Sequence, residues 1–210
     1  MKLYYFDLYG RGEAIRLLLT HAKAEWTEQR ISFEEWPEVK TSNKGIKFGQ
    51  LPVLEKDGKF YAQGGAILRY LGGNHGYYPE DVEERFRVDE ITDLIASDFS
   101  PKIGEAVFGA KTEEEKKDSI GKLVEEHFPK FFGFLEEQLT SNSSQDFLVG
   151  DSYTIADFVL LSSYIAHINH PHRKDQVSPL LDSYPTLKAY FAARTADLKD
   201  YLDSLPECFL

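Results

Sequence analysis

The first 31 residues alternate strand, helix and strand, and that order constrains the fold more than any other feature of the chain. Leu3 to Leu8 is short and aromatic-rich, which suits a strand. Gly10-Arg11-Gly12 breaks the run. Ala14, Ile15, Leu17, Leu18 and Leu19 then follow at the spacing of a mostly buried helix that ends near Ala24. Glu25 to Ile31 reads as a second strand. A helical crossover between two strands implies a parallel pair. Further along, Pro52-Val53-Leu54-Glu55 and Lys59-Phe60-Tyr61-Ala62 flank Lys56-Asp57-Gly58. Asp-Gly between two such runs predicts a hairpin. Ala66 to Leu71 reads as a helix, so the order is βαβ followed by ββα.

Beyond Gly76-Tyr77-Tyr78-Pro79 the pattern changes. Arg85 to Phe99, Glu113 to Leu139, Ile155 to Ile168 and Thr186 to Leu202 all have helical apolar spacing. Thr154-Ile155-Ala156-Asp157 predicts a capping box that starts a buried helix. Charge changes at the same place: residues 1–78 carry a net +2 and residues 79–210 a net −13. The expectation is an α+β chain with a mixed domain at 1–76, a linker at 77–83 and an all-helical domain at 84–210.

Composition excludes several classes. Hydrophobic residues make up 42% and aromatics 14% of 210 residues, too many for a disordered polymer. A net charge of −11 argues against general nucleic-acid binding, which needs a cationic face. No apolar run is long enough to span a bilayer, and Met1 to Asp7 lacks the apolar core of a signal peptide. The one cysteine, Cys208, excludes an internal disulfide, a CxxC redox pair and a thiolate-zinc site. A soluble cytoplasmic protein without a metal is expected.

Several residues gather where the first domain could hold a ligand. Tyr5 lies on the first strand, just before a glycine-rich turn into a helix, where unpaired amides favour an anion. Its hydroxyl could hydrogen-bond a thiolate and lower the thiol pKa. Pro52, at the start of a strand, is a candidate cis proline that would leave the Leu51 backbone free to pair with an extended peptide. Gln63-Gly64-Gly65 opens the next helix with amides for a carboxylate. Trp36 and Lys40 could hold a second carboxylate. His167-Ile168-Asn169-His170-Pro171-His172 brings three imidazoles close together, but it reads as a solvated helix end rather than a metal site.

These residues resemble a known family. Tyr5-Phe6-Asp7-Leu8-Tyr9-Gly10-Arg11-Gly12-Glu13-Ala14-Ile15-Arg16 is similar to the first strand and helix of cytosolic glutathione transferases. Ile31 to Pro37 and Phe48 to Leu54 are similar to the family's binding loops. Gln63 to Leu71 and Gly150 to Asp157 are similar to its later signatures. The Tyr-Phe pair, the Gly-Arg-Gly-Glu turn and Trp36-Pro37-Glu38 most resemble the sigma class, with alpha, mu and pi as the nearer alternatives. The resemblance implies a thioredoxin-like domain followed by a helical domain, assembled as a two-fold homodimer. It implies that Tyr5 donates its hydroxyl to the glutathione sulfur and that Arg11 helps to orient or polarise that site. Trp36 and Lys40 would hold the glycine carboxylate, with Gln50 assisting. Leu51 would pair with the cysteinyl backbone ahead of a cis Pro52. Gln63 and Gly64 would hold the γ-glutamyl end. An acid from the partner subunit, Asp98 in this register, would reach its ammonium. Tyr9, Phe99, Ile103, Phe108 and Phe209 are the candidate walls of an apolar site for the electrophile.

The activity so implied is conjugation of glutathione to electrophilic small molecules in detoxification, with reduction of organic hydroperoxides beside it. The alternative is a catalytically weak ligand-binding or crystallin-like protein of the same fold. A transferase-like interaction domain ranks below both. Two departures bear on the choice. The family usually has Ser after the Gln of its binding helix, and here that position is Gly64. Sigma members that isomerise prostaglandin H carry a Trp in the helical domain, whereas Trp26 and Trp36 both lie in the first. Prostaglandin synthesis is therefore not among the predicted activities.

Overall fold

The structure, a computed structural model, describes residues 1–171 and 173–206. Strands β1 (Lys2–Phe6), β2 (Thr27–Ile31), β3 (Val53–Lys56) and β4 (Lys59–Ala62) form one sheet in the order β2-β1-β3-β4. β1 and β2 are parallel, with Tyr5 opposite Arg30. β3 is antiparallel to both β1 and β4. The βαβ-ββα order expected from the sequence is the observed one. Asp57 and Gly58 both adopt positive φ, 52° and 72°, which matches the right-handed twist of a two-residue hairpin.

Helix α1 (Gly10–His21) lies between the sheet and the helical part, and α2 (Trp36–Ser42) and α3 (Gly64–His75) complete the thioredoxin-like domain. Ala14, Ile15, Leu17, Leu18 and Leu19 are all buried, so α1 is covered on more than one side. Its outer cover is α8 (Ile155–Ser163), whose Phe158, Leu160 and Leu161 are also buried. The expected capping box starts α8. Asp157 accepts from the Thr154 amide at 2.8 Å and the Thr154 hydroxyl at 2.9 Å. It also accepts from the Leu148 amide at 3.1 Å and the Tyr190 hydroxyl at 2.9 Å.

The helical part begins earlier than expected. Helix α4 (Val82–Asp93) starts inside the predicted linker, capped by Asp81, whose carboxylate accepts from the Glu83 and Glu84 amides. The chain then continues through a π-helical turn, Leu94–Phe99, into α5 (Ser100–Phe108). The same happens downstream, where α6 (Glu113–Lys122) passes through Leu123–His127 into α7 (Phe128–Ser141). Pro101 and Pro129 each lie two residues past a π-helical turn. The wider turn accommodates a ring that would clash in a regular helix. Helical spacing alone therefore ended the first of these helices too soon, at Phe99. Helix α8 closes in a third such turn, Tyr164–Ile168. It is followed by α9 (Lys174–Val177), α10 (Pro185–Asp197) and α11 (Lys199–Asp203). The last two divide at Leu198, where a single helix was expected from Thr186 to Leu202.

Candidate functional site

Two glycines let α1 approach β1 closely enough to present Tyr5. A Cβ on Gly12 would lie 2.4 Å from Tyr5 Cδ1, and one on Gly10 would lie 2.6 Å from the Tyr5 hydroxyl. Gly10 also has a positive φ of 36°. The buried Tyr5 hydroxyl accepts the Arg11 amide proton at 2.7 Å and donates to no residue among those described. Its own proton is thus available to a ligand at the start of α1. Burial raises the Tyr5 pKa, while the Arg11 amide and nearby positive charge lower it in part. The net effect is upward, so the phenol stays a donor at neutral pH.

A buried network holds this turn. Arg16 donates to Glu13 at 2.9 Å, to Glu28 at 2.6 Å and to the Leu8 carbonyl at 2.8 Å. Tyr201 of α11 donates to Glu13 at 2.5 Å, and the Tyr9 hydroxyl donates to the Pro206 carbonyl at 2.6 Å. The end of the helical part is thereby tied to the start of α1, which carries Arg11. Sequence reasoning gave Glu13 and Arg16 no role of their own. Two opposite charges three apart inside an apolar helix were the signal that they are paired and buried.

The remaining residues expected in the site lie on α2, around Pro52 and at the start of α3. Trp36 and Lys40 lie on α2, with the Lys40 ammonium 5.8 Å from the Trp36 ring centroid. Lys40 passes so close to Gly49 that a Cβ there would meet Lys40 Cε at 2.7 Å. Gln50 accepts from the Gln63 amide nitrogen at 3.3 Å. The Leu51-Pro52 bond is cis. Gln63, the N-cap of α3, sits at φ 73°, a conformation that side chains rarely adopt and that marks functional turns. Gly64 follows with Pro52 and the Arg11 carbonyl as neighbours.

Next to these residues is a cleft of about 340 Å³ between the two parts of the molecule. Tyr5, Arg11, Gly64, Ile103 and Phe108 line it, as does Leu68. Phe108 is 67% exposed, an apolar side chain at the mouth with room for a ligand against it. Two expected walls are elsewhere. Phe99 stacks on Phe131 with 3.7 Å between ring centroids and meets Phe128 edge-on. It belongs to the helical core because the π-helical turn points it inward. Tyr9 is buried and turned toward the chain end by its bond to Pro206. Phe209 lies outside the described residues. Asp98 is exposed on the Leu94–Phe99 turn and does not line the cleft of its own chain.

The histidine segment also departs from its reading as a solvated helix end. His170 is 1% exposed, and His167 lines the cleft with Arg173 and Thr92. His172 lies outside the described residues. Among the described residues no group of His, Cys, Asp and Glu is placed to hold a metal ion. No helix there is long and apolar enough to cross a membrane.

Residues 1–73 match the profile of the glutathione S-transferase N-terminal domain, and residues 97–204 that of its C-terminal domain. The chain belongs to the glutathione S-transferase family. It is 33% identical to glutathione S-transferase 2 of Manduca sexta, over 97% of this chain and 96% of that protein. It is 34% identical to probable glutathione S-transferase 7 of Caenorhabditis elegans, over 98% and 96%. Among solved structures it is similar to the monomeric Na-GST-3 of Necator americanus, with a TM-score of 0.81 and 32% identity over 100% of this chain and 98% of that one. It is also similar to prostaglandin synthase D of Nilaparvata lugens, with a TM-score of 0.80 and 28% identity over 98% of each chain. Relatives named for the alpha and P types align as well, so the matches do not single out one class.

Proposed function

We propose that this glutathione transferase activates the glutathione thiol at Tyr5 and conjugates it to apolar electrophiles held in the adjoining cleft. The observation that carries the reading is the Tyr5 hydroxyl, which accepts from the Arg11 amide and keeps its own proton to give. A free thiol with a pKa near 8.5 is only a few per cent ionised at neutral pH. One hydrogen bond to the sulfur, with the start of α1 beside it, lowers that pKa by about one to two units. The thiolate then forms a bond to the electrophilic carbon, and the leaving group departs with its electron pair. Proximity in the cleft supplies the rest of the acceleration.

In this reading Arg11 orients the sulfur. Trp36, Lys40 and Gln50 hold the glycine carboxylate, Leu51 pairs with the cysteinyl backbone, and Gln63 and Gly64 hold the γ-glutamyl end. The close approach of Lys40 to Gly49 and the bond between Gln50 and Gln63 support this assignment. Organic hydroperoxides are a second substrate class, since the same thiolate can attack their outer oxygen. A sigma-like class, a cytoplasmic location and a homodimer belong to the same proposal. In the dimer Asp98 of one copy serves the other copy's site. Phe48 and Phe86, each more than half exposed, are apolar side chains that a second copy would cover.

The test is conjugation to 1-chloro-2,4-dinitrobenzene from pH 5.5 to 8, with wild type and Tyr5→Phe. Turnover with an acid-shifted thiol titration, lost in the variant while glutathione affinity is kept, is expected. Glutathione binding without turnover in the wild type favours instead the ligand-binding alternative, toward which Gly64 points. Light scattering decides between monomer and dimer.

A further inference from the structure

Only one pair of tyrosine rings is in contact among the described residues. Tyr61 on β4 and Tyr70 on α3 stack with 4.6 Å between centroids and 17° between planes. Both are half-buried, so each stays within reach of solvent. Their hydroxyls share a hydrogen bond. Rings that stack with their hydroxyls together lie head to head, which sets the carbons beside one hydroxyl over those beside the other. Lys56 of β3 completes the cluster. Its ammonium donates to the Tyr70 hydroxyl at 3.4 Å and lies 5.5 Å from the Tyr70 ring centroid.

This setting makes Tyr70 unlike the tyrosines that face carboxylates. Burial, and then a carboxylate beside the hydroxyl, pushes Tyr4, Tyr78, Tyr153 and Tyr201 up. Tyr70 moves down, because Tyr61 donates to its oxygen and Lys56 adds a second donor and a positive charge. Burial and Asp57 oppose these effects without reversing them. Tyr61 moves up for the complementary reason, as the partner that keeps the proton. A phenolate gives up an electron more readily than a phenol. Tyr70 is therefore the ring that a one-electron oxidant takes first, with Tyr61 already stacked on it. The two rings also bracket the turn that carries Gln63 and Gly64.

We propose that Tyr61 and Tyr70 form an oxidative modification site, where a one-electron oxidant of the haem-peroxidase class, driven by hydrogen peroxide, joins the two rings by a carbon–carbon bond. Each phenol loses one electron and one proton. The two phenoxyl radicals bond through carbons next to their oxygens, and the hydrogens on those carbons move to the oxygens as the rings regain aromaticity. The two electrons and two protons reduce one hydrogen peroxide to two waters. The bond closes a ring over residues 61–70, staples β4 to α3 and constrains the unfolded chain as a disulfide does. It needs neither the thiol nor the cleft, so it stands apart from the transferase reading.

The test is oxidation of the full chain by a haem peroxidase with limiting hydrogen peroxide, without glutathione, which would quench the radicals. Trypsin cuts after Lys59, Arg69 and Arg85, so it frees Tyr61 on residues 60–69 and Tyr70 on residues 70–85. The expected product is those two peptides joined, with the loss of two hydrogen atoms, recovered from the monomer band of a denaturing gel. Fragmentation in the mass spectrometer should place the bond at Tyr70 rather than at Tyr77 or Tyr78, which share its peptide. Tyr61→Phe and Tyr70→Phe should each lose the product, and Lys56→Met should slow its formation. The oxidised chain should unfold at a higher temperature than the untreated one. Oxidation in urea separates the fold from the sequence, and the joined pair should be lost there. Absence of the joined peptides from the native monomer overturns the proposal. So does a bond to Tyr77 or Tyr78, an unchanged yield in urea, or a product that survives either Phe variant.

Discussion

Replacing Gly64 by Ser should tighten glutathione binding, and the structure allows the size of the effect to be worked out. Gly64 opens α3 without a positive φ. A Cβ there would lie 3.5 Å from Pro52 Cγ, 3.8 Å from Pro52 Cδ and 3.9 Å from the Arg11 carbonyl. These are ordinary van der Waals distances, so neither Ala nor Ser meets a clash. Both lower the conformational entropy of the unfolded chain and should stabilise the fold by about 0.4–1 kcal/mol. Only Ser adds a hydroxyl that can donate to the γ-glutamyl carboxylate. A hydrogen bond to a charged group contributes about 1.5–3 kcal/mol, or roughly ten- to a hundred-fold in Kd. The bond is present before and during the reaction alike, so KM should fall while kcat stays nearly constant. Calorimetry with glutathione, run on wild type, Gly64→Ala and Gly64→Ser, separates the terms. Ala should move the unfolding midpoint and leave Kd within about twofold, whereas Ser should move both. A folded Gly64→Ser protein with wild-type Kd would mean that no carboxylate sits at the start of α3, and the placement of the other glutathione-holding residues would fail with it.

Three further outcomes follow from the packing. Gly12→Ala places a methyl 2.4 Å from Tyr5 Cδ1 and 2.5 Å from Cγ. Overpacking should cost about 1–3 kcal/mol in urea unfolding and shift Tyr5 off the Arg11 amide, with a rise in the bound thiol pKa. An unperturbed thiol titration would show that the ring is not held by this contact. Asp157→Ala removes the acceptor of four hydrogen bonds at a fully buried site. A loss of about 3–5 kcal/mol in thermal unfolding is expected, and a loss under 1 kcal/mol would contradict the capping role. His167 has its pKa lowered from 6.5 to about 3. A base with a depressed folded pKa contributes stability that is present above pH 6.5 and lost as pH falls toward 3. His167→Asn should therefore lose about 2 kcal/mol less than wild type between pH 6.5 and 4.5, measured by denaturant unfolding at each pH. Parallel pH dependence in the two proteins would show that the imidazole is solvated.

Much of the fold is written in local signals. Asp57-Gly58 adopts positive φ because the hairpin turn needs it, and both residues tolerate it. Thr154 and Asp157 close a capping box within four residues. The apolar face of α1 and the parallel β1–β2 pair follow from spacing and chain order. The residues from Tyr5 to Gly64 that are proposed to hold glutathione could be nominated from sequence for the same reason, since each sits in a short segment with its own turn or helix start.

What the chain order could not reveal depends on partners far away in sequence. Phe99 and Phe108 look alike as aromatic residues on one helical stretch. A π-helical turn before Pro101 rotates Phe99 onto Phe131 and leaves Phe108 at the cleft mouth. Tyr9 reads as a pocket wall until Pro206, 197 residues on, accepts its hydroxyl. His167 and Arg173 read as the polar end of a helix. They share a cleft with Thr92 only because α4 packs against α8. Periodicity records which face of a helix is apolar, but not which distant element covers it. The sequence by itself therefore determined the strands, their order and most of the helices. The tertiary structure decided which side chains close the cleft, because desolvation is a property of the packed whole.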